Sequence, residues 1–296
     1  MASATLGGSG VPELPEVEAL TRFLAARCSG QIIERIELGA LSALKTYDPP
    51  LEALEGRTVG PTGRWGKYVG IQAGDLWLMM HLARGGWVQW RDTTPAARAR
   101  PGKGPLALRV GLSNGGGFDV TEQGTEKRLA LWVVRRPTEV DGLARLGPDP
   151  LDPAFGVGEL ARLLEGRSGM LKTILTDQSV LAGVGNAYSD EALHGAKLSP
   201  YKAAGKLDAA EVAALHAALT GVLGDAVQRS LGLPAKGLKA EKRGGLAVHG
   251  RTGEACPVCG DKIREVSFAT KSLQYCATCQ TGGRPLADRR LSRLLK

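Results

Sequence analysis

The sequence predicts an α+β, multidomain chain, and three observations predict it. A β-rich stretch begins after residue 11, a helix-rich stretch follows a proline-rich break, and four cysteines in paired spacing close the chain. The 296 residues, 43% hydrophobic and 23% charged, suffice for two or three separate cores. No uninterrupted apolar run reaches the roughly 20 residues that span a bilayer. Residues 1–11 lack the basic start and apolar centre of a secretory signal. The expectation is a cytoplasmic protein with no membrane partner.

One helix is expected to precede the strands. Pro15 suits a first helical turn, and Val17, Leu20 and Leu24 recur at helical spacing. The stretch "LWLMMHLARGGWVQW" is apolar and interrupted by glycines, as buried strands are. "LALRVGLSNGGGFDV" alternates apolar and polar residues around Asn114-Gly115, a hairpin signal. Residues 12–145 therefore read as one β-rich domain. The proline-rich "LGPDPLDP" opens a linker over 146–155.

Residues 156–232 read as helical. Asp208 and Glu211 form an Asp-x-x-Glu capping box, with Val212, Leu215, Leu219 and Val222 following on one face. The glycine-rich, basic "KAEKRGGLAVHGRTG" is expected to be a loop. A helical domain over 156–246 and a terminal module over 247–296 complete the expected organisation.

The net charge is +8, and basic residues cluster in the last third, in "KGLKAEKRGG", "HGRTG" and "GGRPLADRRLSRLLK". Such clustering favours a polyanion partner over a merely basic surface. Cys256, Cys259, Cys276 and Cys279 spell C-x2-C-x16-C-x2-C. Two C-x2-C hairpins present four thiolates, a tetrahedral shell for one Zn²⁺ with no open position, so the ion is expected to be structural. Two disulfides are the alternative, which a cytoplasmic setting disfavours. Cys28 reads as a buried thiol outside that shell.

Three separated stretches now converge: "PELPEVE" (12–18), "DQSVLAGVGNAYSDEAL" (177–193) and the terminal four-cysteine ribbon. Together they resemble the formamidopyrimidine-DNA glycosylase / endonuclease VIII family of base-excision repair enzymes, from Pro12 to about Gln280. The resemblance implies a catalytic β-sandwich over 12–145, a helix–two-turn–helix domain over 156–246 and a zinc finger with a basic tail over 247–296. It also implies DNA gripped in the cleft between the lobes. The expected partner is double-stranded DNA containing damaged bases or abasic sites, and the expected protein is a nucleoid-associated monomer. The expected activity is a glycosylase joined to an abasic-site lyase; the alternative is a damaged-DNA-binding protein without catalysis. A zinc-ribbon transcription factor explains neither "PELPEVE" nor Lys67.

The family's nucleophile is a proline whose nitrogen is the chain terminus, and here that proline is Pro12. An α-amine has a pKa of roughly 8, against about 10.4 for lysine, so a useful fraction is unprotonated at neutral pH. As a secondary amine it can attack C1′ and form an iminium, an electron sink for elimination of the 3′ and then the 5′ phosphate. Inside a chain, proline is a tertiary amide and inert, and residues 1–11 precede Pro12. Two readings remain. In the first, GTG, which bacteria also use as a start codon, encodes Val11, and initiation there with methionine removal exposes Pro12, leaving 1–11 as an untranslated leader. Otherwise the leader stays and the protein binds damaged DNA without the chemistry. The first is preferred, because the leader carries no pattern and everything after Val11 does.

The resemblance assigns Glu13 general acid/base work at the opening sugar and Lys67, in "GRWGKYVGI", an approach to the reacting sugar and its phosphate. Glu18, and less firmly Glu16, read as carboxylates favoured at a helix N-terminus. Asn186 closes the "GVGN" turn before a helix, a placement suited to a phosphate. Lys172 in "MLKTI" matches a family phosphate-binding lysine, and Arg167 is a weaker candidate. Base extrusion leaves a void that side chains fill. The matching positions are Arg84, Arg128 and Leu129, where the family typically has Met, Arg and Phe. Lys271 stands where the family's finger has an arginine that assists the second elimination, and a lysine lacks the bidentate fork. The segment between Arg229 and Cys256 is short for members that cap 8-oxoguanine.

Overall fold

The computed structural model describes residues 11–99, 101–102, 104–267 and 272–287. They form two compact units: residues up to Arg145 with Ser230–Ala240, and Leu146–Arg229 with the residues from Glu241 onward.

The first unit opens with helix α1 (Leu14–Cys28). Glu13 is its N-cap, and Glu13 and Glu16 satisfy each other's backbone N–H in a reciprocal capping box. Pro15 lies in the first turn, where its missing N–H costs nothing. Leu14, Val17, Leu20 and Leu24 are fully buried, each contributing about 1.5–3 kcal/mol of transfer free energy.

Eight strands follow: β1 (Ile33–Leu38), β2 (Val59–Trp65), β3 (Tyr68–Ala73), β4 (Leu76–His81), β5 (Gly86–Arg91), β6 (Leu106–Leu112), β7 (Gly117–Glu122) and β8 (Ala130–Val134). They make two antiparallel sheets, β1-β6-β7-β5 and β2-β3-β4-β8. The sheets enclose one core, with Ile36, Leu108, Val110 and Val120 from one and Val69, Ile71, Leu78 and Val133 from the other. This is a β-sandwich. The run "LWLMM" reads as continuously apolar because β4 is covered on both faces. Leu76, Leu78 and Met80 face the sandwich core, while Met79 packs under Trp65, Trp77 and Trp132. Short helix α2 (Asp141–Ala144) adds Leu143 to that outer cluster.

The Asn114-Gly115 turn joins β6 to β7 as expected. Gly115 takes φ +80°, which suits glycine, and the Asn114 carboxamide oxygen accepts the Gly116 N–H at 3.0 Å.

The second unit holds α3 (Val157–Leu164), α4 (Leu171–Leu175), α5 (Asn186–Gly195), most of α6 (Ala209–Ser230), the β9 (Ile263–Ser267) and β10 (Ser272–Cys276) hairpin, and α8 (Ala277–Thr281). Asp208 and Glu211 form their capping box reciprocally, at 2.9 and 3.0 Å. Val212, Leu215 and Leu219 are buried as expected, but Leu223 completes the face and Val222 is only partly buried. Length and composition alone would let α6 cross a membrane, but this buried stripe is that of a core helix.

Two expectations need correction. Residues 238–245 are a helix, α7 (Leu238–Gly245), and not a loop. Lys, Ala, Glu and Arg favour helix, and Leu238 anchors it by full burial. The expected 156–246 domain is not one compact unit, because Ala235 and Leu238 join the sandwich core and Trp87 Nε1 donates to the Ala235 carbonyl at 2.9 Å. At the start of the expected linker, Gly147 N donates to Gln178 O at 2.8 Å and Ala182 N to Pro148 O at 3.0 Å.

Candidate catalytic and nucleic-acid-binding residues

In the first unit, Pro12 and Glu13 lie at the N-terminus of α1. Both are buried, Glu13 to 2% exposure. Lys67 sits in the two-residue turn between β2 and β3, with Trp65 paired to Tyr68 across it. Helix α1 packs on β2 and β3, and one polar relay links it to the Lys67 turn. Glu18 Oε2 accepts Arg64 Nε at 2.7 Å, and Arg64 Nη1 donates to the Gly66 carbonyl at 3.3 Å. Burial works to raise the Glu18 pKa, but bonds from Arg64 and Arg22 outweigh it and hold the carboxyl below its ordinary value. Glu18 and Glu16 thus have structural partners, as their helix positions suggested.

The register gathers more of the expected residues. Tyr68 pairs with His81, and His81 with Ala130. The Lys67 turn, the segment after β4 and the segment before β8 therefore share one end of the β2-β3-β4-β8 sheet. Arg84 is exposed in the turn after β4, which Ala83 enters with φ +51°. Arg128 is exposed before β8 and pairs with Glu126 at 3.1 Å. Leu129 departs from expectation. It is 2% exposed and belongs to the sandwich core, so it is not presented as a wedge. Glu122 Oε1 accepts the Arg128 and Leu129 N–H groups at 2.7 and 2.9 Å, turning Leu129 inward and leaving Arg128 outside.

Nothing in the sequence singles out His81. A lone histidine at a strand end gives no pattern. Its ring lies 4.7 Å from that of Tyr68, and burial, with the Lys67 charge second, pushes its pKa down to about 4. It is a neutral imidazole beside Lys67 at physiological pH.

In the second unit, Asn186 is the first residue of α5, as the "GVGN" turn implied. Gln178 closes the turn, accepting Gly183 N–H at 3.0 Å and donating to Val184 O at 2.7 Å. The Asn186 carboxamide donates to Ser272 O at 2.7 Å, so the finger braces this side chain. Lys172 again departs from expectation. Its side chain is 9% exposed and Nζ donates to Asp190 Oδ1 at 2.5 Å, Ser189 Oγ at 2.8 Å and Asn186 O at 2.6 Å. It is a buried brace beneath the first turn of α5. Arg167 is exposed and donates to Leu163 O at 2.7 Å. Lys271 lies outside the described residues.

The sulfur atoms of Cys256, Cys259, Cys276 and Cys279 lie within 4.8 Å of one another and form no disulfide. A tetrahedral zinc–thiolate site with Zn–S of about 2.3 Å separates its sulfurs by about 3.8 Å. The Cys256–Cys279 and Cys259–Cys276 pairs, at 3.9 and 3.4 Å, fit that shell. These residues hold one structural Zn²⁺. Cys28 lies in the sandwich core, where burial raises its thiol pKa to about 12.

Comparisons with known proteins cover nearly the whole chain. Residues 11–123 match the formamidopyrimidine-DNA glycosylase N-terminal domain, 146–234 the formamidopyrimidine-DNA glycosylase H2TH domain, and 253–282 the zinc finger found in FPG and IleRS. An uncharacterized formamidopyrimidine-DNA glycosylase-like protein of Mycobacterium tuberculosis is 63% identical over 151 residues, 51% of this chain and 94% of that protein. The formamidopyrimidine-DNA glycosylase of Symbiobacterium thermophilum is 36% identical over 277 residues, covering 91% of this chain and 89% of that one. The crystal structure of the Thermus thermophilus protein superposes with TM-score 0.77 at 30% identity, covering 93% of this chain and 100% of that one. The Lactococcus lactis enzyme in complex with abasic-site DNA gives 0.80 at 27% identity, covering 91% and 99%.

Proposed function

Because the chain belongs to the formamidopyrimidine-DNA glycosylase family of base-excision repair, we propose that it excises oxidised bases and then nicks the strand as an abasic-site lyase, through a Schiff base on Pro12. The observation that carries this reading is the placement of Pro12 and Glu13 at the start of a helix whose Glu18–Arg64 relay also fixes the Lys67 turn. The family match opens at Val11, one residue before Pro12, which supports initiation there and removal of the methionine.

In this reading the freed secondary amine of Pro12 attacks C1′, the C1′–N bond breaks, and the base leaves with a proton. Glu13 protonates the opening sugar ring. The nitrogen lone pair then forms the iminium, which accepts the electron pair left when C2′ loses its proton, and the 3′ phosphate departs. Lys67, with neutral His81 beside it, supplies positive charge at the sugar phosphate. Arg84 and Arg128, at one end of one sheet, fill the void of the extruded nucleotide. The N-terminus of α5, with Asn186, holds a backbone phosphate.

Duplexes carrying one lesion each test this proposal. We expect base release and strand cleavage at abasic sites, ring-opened purines and oxidised pyrimidines ahead of 8-oxoguanine opposite cytosine. The short Arg229–Cys256 segment, of which the eight residues Leu238–Gly245 fold as α7, supports that ranking. Ranking 8-oxoguanine first would overturn the lesion order. A second reading rests on residues 1–11: if they remain attached, Pro12 is an amide and the scaffold binds damage without chemistry. Binding without any product would favour it.

A further inference from the structure

Helix α5 meets the zinc module along one polar stripe. Asn186 donates to Ser272 O, and Asp190 Oδ2 accepts Gln274 N–H at 3.1 Å and His249 Nδ1 at 2.7 Å. Glu191 accepts the backbone N–H groups of Ala247, Val248 and His249 at 2.7–2.9 Å. These positions fall on one helical face, and His194 is the next on it. His194 is buried, with Nε2 3.3 Å from Cys256 Sγ.

We propose that His194 is an outer member of the zinc site: it donates its Nε2–H to the zinc-bound thiolate of Cys256 and ties the metal to the helix that begins at Asn186. The argument is one of donors and acceptors. A zinc-bound cysteine carries no proton, so a hydrogen bond at this distance has one possible direction, from Nε2–H to sulfur. That places a proton on Nε2. The four cysteines already complete the tetrahedron, so His194 is a positioning residue and not a ligand. Partners of this kind orient the ligand, and their loss typically lowers metal affinity about 10–100-fold. Asn186 and His194 lie at opposite ends of α5, so the bond makes the seating of the metal part of the seating of the helix.

Cobalt substitution of the full chain tests this. In His194→Phe the sulfur-to-cobalt charge-transfer band should shift while the four-sulfur tetrahedral ligand-field bands persist. The zinc-loaded variant should release its metal to a chelator about 10–100-fold faster. His194→Gln, which returns an N–H donor near the Nε2 position, should restore both readings toward the parent. A Phe variant with the parental band and release rate would overturn the proposal. Ligand-field bands that report a lost nitrogen ligand would overturn it too. If the Phe variant fails to fold, the parent loaded with ¹¹³Cd decides. A scalar coupling between the metal and the His194 Hε2 proton supports the bond, and an Nδ1–H tautomer without coupling refutes it.

Discussion

Arg64 Nε lies 2.7 Å from Glu18 Oε2, and the same guanidinium reaches the carbonyl of Gly66 at 3.3 Å. One side chain therefore joins α1, whose N-cap is Glu13, to the turn that carries Lys67. Both partners are mostly buried, at 10% and 19% side-chain exposure, so the pair is poorly screened. Misplacement of reacting groups by about 1 Å can cost on the order of 10²-fold in rate. Glu18→Gln and Arg64→Met should each slow Schiff-base formation by at least about 10-fold while leaving duplex binding near the parental value. The double variant should be no slower than the worse single one. Additive losses in single-turnover kinetics would show that the two residues do not act as a unit.

His81 should make stability depend on pH. Its pKa falls from 6.5 to about 4 in the fold, mainly by burial. Between those values the unfolded chain binds the proton and the folded chain does not. The contribution is fully present above pH 6.5 and is lost as pH falls toward 4, at up to about 1.4 kcal/mol per pH unit. Urea midpoints from pH 7 to pH 4.5 should fall for the parent and fall less for His81→Gln. Equal slopes would show that His81 is protonated in the fold.

Leu129 should behave as core. Leu129→Ala should destabilise the protein by about 2–5 kcal/mol, with opposite-base preference unchanged once folded protein is compared. A stable variant with altered preference would return Leu129 to the role of wedge.

Lys172 should act through the fold as well. Removing one partner of a buried pair costs about 3–5 kcal/mol, because the other charge is left uncompensated. Lys172→Met should therefore lower the unfolding midpoint and weaken all duplexes alike, with the salt dependence of binding unchanged. A direct phosphate contact would instead reduce the salt slope by about one unit.

Much of this fold was legible because local rules and tertiary demands agree. Pro15 with Val17, Leu20 and Leu24, the Asn114-Gly115 turn, the Asp208–Glu211 box and the cysteine spacing each fix a short element by its own chemistry. The failures share a different cause. Matching position gives Lys172 and Leu129 surface roles, whereas Asp190 and the sandwich core, distant in sequence, bury them. The α7 helix was hidden by the Gly244-Gly245 pair that ends it, and its anchor, Leu238, is buried in the sandwich core. His81 and His194 carry no spacing signal. Their meaning comes from the register beside Tyr68 and from the approach of Cys256 to α5.

Covalent trapping at Pro12 tests the central claim most directly. One form of the protein begins Met-Pro12 and is processed to expose the proline, and the other keeps all residues before it. Both are mixed with abasic-site duplex and borohydride, and their N-termini are read by mass. The processed form should be trapped covalently and its Pro12→Gly variant more slowly, whereas the long form should bind without trapping. Equal trapping by a long form with its leader intact would contradict the account and move the nucleophile to a lysine, with Lys67 the first to replace.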